Sequence, residues 1–71
     1  GETGVLEIEI NTFTPGFDTF LVRFNEGKWM EQKEPKLLWT LKGGRNRIEA
    51  RARNVRGILG PVSTLDVLYN P

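Results

Sequence analysis

Seventy-one residues make one small domain at most, with a modest buried fraction and a thin stability margin. Ten basic and nine acidic side chains leave a net charge of +1, too balanced for the strongly positive field of a dedicated nucleic-acid binder. The chain has no cysteine and no histidine, which excludes disulfides, zinc sites built from those ligands, and any Cys or Ser nucleophile activated by His.

Period-two alternation of apolar side chains dominates, and it marks half-buried antiparallel strands. In VLEIEI, Leu6, Ile8 and Ile10 share a face, opposite Val5, Glu7 and Glu9. In DTFLVRFN, Phe20, Val22 and Phe24 share a face, opposite Thr19, Leu21 and Arg23. KWMEQKEPKL reads as a short edge strand followed by a loop, since Gly27 and Pro35 leave too little room for a stable helix. LLWTLK groups Leu37, Trp39 and Leu41. NRIEARARN sets Ile48, Ala50 and Ala52 against Arg47, Glu49, Arg51 and Arg53. STLDVLY sets Leu65, Val67 and Tyr69 against Thr64, Asp66 and Leu68.

The breaks carry turn chemistry: TPG at 14–16, NEGK at 25–28, KGGR at 42–45 and NVRG at 54–57. Gly44 and Gly57 are expected at positive φ, which glycine adopts at little cost. Pro61 cannot donate to a ladder and belongs at the edge or start of the last strand. Val62 is out of phase with Leu65, which predicts a bulge or bend near Ser63. Both tryptophans read as core, with Ala50 and Ala52 leaving space for them. Trp29, which follows a turn, has a second reading as an exposed sugar-stacking platform.

LKGGRNRIEARARNVRGILGPVSTLDVLY resembles the final two strands of fibronectin type III and related immunoglobulin-like modules. The matching residues are Leu41, Gly44, Ile48, Ala50, Ala52, Asn54, Gly57, Gly60, Pro61, Ser63, Leu65 and Val67. FLVRFNEGKW is similar to the bacterial variants that follow sensor propellers or adjoin the catalytic domains of secreted enzymes. The resemblance covers residues 18–69 and implies an all-β fold: a small antiparallel β-sandwich of about six strands. Two departures stand out. Asn46 or Ile48 occupies the place of the usual tyrosine, so a tyrosine corner is not expected. The chain is also short, so a first strand is expected to be missing or supplied by a neighbour, leaving one strand edge exposed.

Catalytic chemistry finds little support. Glu7 and Glu9 share a strand face, but nothing suggests a desolvated cleft that would raise either pKa. Asp18, Glu26 and Asp66 match no calcium loop. No phosphate loop or nucleophile elbow is present. No cofactor, no metal and no enzymatic activity are expected.

Five of the six arginines lie within residues 45–57. The resemblance implies strands 18–25 and 62–69 as neighbours of the strand at 46–54, and Arg23, Arg47, Arg51 and Arg53 then share one face with Glu49 and Asp66. Three readings follow: a solvated, partly ion-paired strand face; a site for acidic polysaccharide, whose carboxylates or sulfates match arginine forks; or an interface with an adjacent domain. The absence of interleaved aromatics argues against single-stranded nucleic acid. The resemblance implies a single module, residues 1–71 with its core at 5–69, excised from a longer bacterial chain that is extracellular, at the cell surface or periplasmic. The expected role is that of a non-catalytic spacer or packing partner for a neighbouring catalytic or binding domain, monomeric in isolation and without membrane insertion. Polysaccharide binding through the arginine face or Trp29 is one alternative, and a module of a periplasmic sensor region is the other.

Overall fold

The computed structural model describes residues 4–11 and 16–70, which form six strands and no helix. They are β1 (Gly4–Glu9), β2 (Phe17–Phe24), β3 (Met30–Gln32), β4 (Lys36–Leu41), β5 (Gly44–Asn54) and β6 (Ser63–Tyr69). All pairings are antiparallel. β1 pairs with β4 in one sheet, and β3-β2-β5-β6 is the order of the other.

The alternation sets the two inner faces. Register places Phe20 beside Ala52, Val22 beside Ala50 and Phe24 beside Ile48, so the apolar sets of β2 and β5 coincide. Leu6 stands beside Trp39 and Ile8 beside Leu37 in the two-stranded sheet. Trp39, Leu41 and Ile48 are buried, and Leu6, Ile8, Phe24, Leu37, Val67 and Tyr69 pack against them. This cluster draws from both sheets and holds them face to face.

Turn residues behave as their chemistry demands. Gly44 and Gly57 adopt φ of 94° and 80°. After β2, Asn25 and Glu26 both take positive φ, at 51° and 63°, and the Gly27 N–H donates to the Phe24 carbonyl at 2.9 Å. Positive φ at both central residues is the type I′ geometry, whose twist suits a hairpin. Thr14 and Pro15 of the TPG stretch lie outside the described residues, while Gly16 has φ of 67°.

The connection from β4 to β5 is organised by a buried polar side chain. Asn46 is 1% exposed. Its Oδ1 accepts from the Lys42 N–H at 2.9 Å. Its Nδ2 donates to the carbonyls of Lys42 and Gly44, at 2.9 and 3.0 Å. A side chain at the start of a strand thus bonds the backbone upstream, the task a corner tyrosine performs.

The irregularity expected near Ser63 is present just ahead of β6: Arg53 bridges Leu59 while Ala50 pairs with Ser63, so residues 60–62 face only residues 51–52 and the register shifts by one. A further bulge, unmarked in the sequence, lies in β2, where register shifts between Phe17 and Thr19 and leaves Asp18 unmatched. One expectation needs correction, and it concerns space. Trp39 packs against Phe24, with ring centroids 6.0 Å apart, and into the cluster with Leu41 and Ile48. Ala50 and Ala52 instead line an open cleft. Trp29 is only half-buried and is not part of the core cluster.

Candidate functional site

Period two turns Arg23 of β2, Arg47, Glu49, Arg51 and Arg53 of β5, and Asp66 of β6 to the outer face of the four-stranded sheet. The ladders then decide who meets whom. Arg23 is opposite Glu49, and Arg47 is opposite Asp66. Arg23 donates through Nε to Glu49 Oε1 at 2.7 Å and through Nη2 to Oε2 at 3.2 Å, a two-pronged fork. Arg47 Nε donates to Asp66 Oδ1 at 2.7 Å. Arg53 Nη2 donates to Asp18 at 2.9 Å and to Glu31 at 2.8 Å. Arg51 clasps the Gly60 carbonyl through Nε and Nη2, at 3.0 and 2.8 Å.

The structure therefore gathers all five candidate residues, Arg23, Arg47, Arg51, Arg53 and Trp29. Trp29 joins through Arg23, whose guanidinium lies over the indole ring 4.9 Å from its centroid. Each guanidinium already has an acceptor or a partner carboxylate. A polyanion arriving on this face meets guanidinium groups whose charge is already offset by Glu49, Asp66, Asp18 and Glu31, or, for Arg51, that are bonded to the Gly60 carbonyl. Arg45 and Arg56 carry no ion pair among the described residues.

Asp18 and Glu31 are the members that sequence reasoning missed. The unmatched position in β2 re-aims Asp18 toward Arg53, as bulges commonly do. Glu31 sits on β3, opposite Leu21 of β2, and reaches Arg53 across that strand. Only a register spanning three strands shows this, and no local pattern carries it. Asp18, Glu26 and Asp66 do not converge, and no group of three or more acidic residues suited to a metal occurs among the described residues.

The hydrogen bond from Arg23, set against partial desolvation, holds the Glu49 carboxyl below its ordinary range. That from Arg47 does the same for Asp66. A depressed folded-state pKa contributes stability above the unfolded value, and the contribution is lost as pH falls through the folded one. Unfolded Asp and Glu titrate near about 3.9 and 4.3. The thermal midpoint is therefore expected to be level from neutral pH to about 5 and to fall below about 4. Glu49→Gln should flatten part of that fall; an identical acid profile for the variant would show that the fork contributes nothing.

A second feature lies on the inner side. Between β1 and β6 the two layers do not close, and Ile8, Ile10, Ile48, Ala50, Ser63 and Leu65 line a cleft of about 280 Å³. It runs into a smaller one of about 140 Å³ beside Phe20, Ala52 and Pro61. The outer side of β1 carries Glu7 and Glu9, both exposed and without an ion pair among the described residues.

A third feature is the connection from β5 to β6. It is tied down by Asn54, whose Oδ1 accepts from the N–H groups of Arg56 and Ile58, each at 2.9 Å. The Gly60 N–H donates to the Ala52 carbonyl at 2.8 Å, and Val55 N–H to the Gly16 carbonyl at 2.8 Å. This firmly bonded end displays Val55, Ile58, Leu59, Val62 and Phe17 to solvent, with Val55 73% exposed. No protein family, curated protein or solved structure matches the chain.

Proposed function

We propose that the chain is a fibronectin type III or immunoglobulin-like β-sandwich module, serving as a non-catalytic packing partner for a neighbouring domain of a larger exported or surface bacterial protein. The pairing of β1 with β4 beside a β3-β2-β5-β6 sheet supports the sandwich. The observation that carries the role is the apolar end. Contiguous exposed apolar surface on a fixed backbone is what a protein interface needs and what a purely solvated module avoids. Asn54 and the backbone bonds around it keep Val55, Ile58 and Leu59 in place, so little ordering is required on contact.

The rival, an acidic glycan on Arg23, Arg47, Arg51 and Arg53, is disfavoured by the internal partners those side chains hold. Hydrogen exchange separates the two. In the isolated chain, amides of residues 55–62 that lack a backbone partner exchange quickly; within the full-length gene product they should slow at least tenfold. Equal exchange in both overturns the packing role. Added acidic polysaccharide should leave the isolated chain unchanged; new protection on β5 and β6 would put the glycan reading in its place.

A further inference from the structure

Two strand edges flank the larger cleft. β1 pairs only with β4, and β6 only with β5, so each has an edge with no strand beside it among the described residues. Past the end of β1 the chain stays extended, since the Ile10 N–H donates to the Pro35 carbonyl at 2.7 Å. The free edge thus continues to Ile10. Leu65 stands opposite the buried Ile48 in register and points to the same inner face, yet it is 46% exposed. The space over it is unfilled because Ala50 and Ser63, paired beside it, are small. At the far end the cleft is shut: the Tyr69 ring lies so close over Gly4 that a Cβ there would come within 2.8 Å of it.

An apolar slot bordered by unpaired backbone has the form of a strand acceptor, in which main-chain bonds give affinity and alternate side chains give specificity. Its open length, from Leu6 to Ile10, matches a strand of about five residues, roughly 17 Å. The outer side of β1 supplies the selectivity. Glu7 stands opposite Leu38 and Glu9 opposite Lys36, and neither carboxylate has an ion pair among the described residues. A strand added along β1 would set its outward side chains next to these carboxylates, where basic residues are favoured. A second copy of β1 would instead bring Glu7 and Glu9 against their own kind, which is destabilising.

We propose that the cleft between β1 and β6 accepts an extended peptide from a partner protein, apolar on its inward positions and basic on its outward ones, as a strand added to β1. The site is separate from the apolar end at Val55 and Ile58, and stands whether or not that end packs against a neighbour.

The test uses a capped seven-residue peptide of alternating lysine and valine, titrated into the 15N-labelled chain once its dispersed spectrum has shown that it is folded. A peptide with glutamate in place of lysine is the control. Expected are saturable shifts confined to residues 4–11 and 63–65, slowed exchange of β1 amides, and at least a tenfold weaker response to the glutamate peptide. The double variant Glu7→Lys, Glu9→Lys, at exposed positions and checked for an unchanged spectrum elsewhere, should lose the preference for lysine. Leu65→Asp should weaken both peptides. Shifts on the arginine face instead, equal binding of the two peptides, or no saturable response would each overturn the proposal. So would a sedimenting dimer that protects β1 without peptide, since the occupant would then be a second copy.

Discussion

Trp39→Ala removes a third or more of the chain's stability and lowers its thermal midpoint by about 15–35 °C. Trp39 is 3% exposed and sits in the centre of the cluster that joins the two sheets, with Leu41 and Ile48 as its buried neighbours. Its ring tilts against Phe24, and Leu6 stands beside it in the ladder. Truncating a buried tryptophan to alanine costs about 3–5 kcal/mol, from lost transfer free energy and from the void left behind. A chain of this size has only about 4–11 kcal/mol of total stability. The void has few ways to collapse, because among the described residues β1 and β4 alone make the second layer and no third strand stands beside them to shift inward. The measurement is a urea titration followed by tryptophan fluorescence from Trp29 and by far-ultraviolet circular dichroism. A variant that keeps a cooperative transition with its thermal midpoint lowered by less than about 10 °C would show that the two layers do not depend on this side chain.

Asn46→Ala is the second large effect. Three part-buried hydrogen bonds vanish, and the solvent-facing turn at Lys42 and Gly44 loses the partner of one N–H and two carbonyls. Each such bond is worth about 1 kcal/mol net. The expected loss is about 2–4 kcal/mol, or roughly 10–25 °C in thermal midpoint. Asn46→Asp keeps the acceptor for Lys42 N–H but turns a donor into a second acceptor facing two carbonyls, so it should also destabilise. The readout specific to the corner is hydrogen exchange at the Lys42 amide, which should accelerate in both variants more than amides in β2. If the Lys42 amide stays protected in Asn46→Ala, the turn is held by the conformation of Gly44 and not by the side chain.

Strand faces were legible because period two needs only the order of residues. Phe20, Val22 and Phe24, or Ile48, Ala50 and Ala52, line up without knowledge of any partner; their neighbours in the sheet came from the resemblance, since alternation carries no strand order. What the pattern carries less well is displacement along and between strands. The bulge at Asp18 sits where the next residue, Thr19, is polar yet fully buried, so no break in hydrophobicity marks it. The break before Leu65 was legible in phase, and it coincides with the one-residue offset between the Arg53–Leu59 bridge and the Ser63 pairing. Ala50 and Ala52 were correctly placed on an inner face, but their small size could mean room for a tryptophan or room left open. Trp39 packs with Leu41, Ile48 and Phe24, and only three-dimensional placement decides between those meanings. The arginine face was legible in its members and not in all its pairings, because Asp18 reaches Arg53 from a bulge and Glu31 reaches it across an intervening strand. Asn46 was noticed for what it replaced; that its amide does the corner's work depends on how tightly the chain turns at Lys42.

The closeness of Gly4 and Tyr69 has a mechanical consequence. The first described strand starts and the last one finishes at the same pole, while Val55 and Ile58 occupy the opposite one. Tension applied through these two points pulls across the strands and not along them. It loads the rungs between Gly4 and Leu41 and between Gly44 and Tyr69 first, then each following rung in turn. Such an arrangement unzips at low force, where strands loaded lengthwise would resist until many bonds failed together.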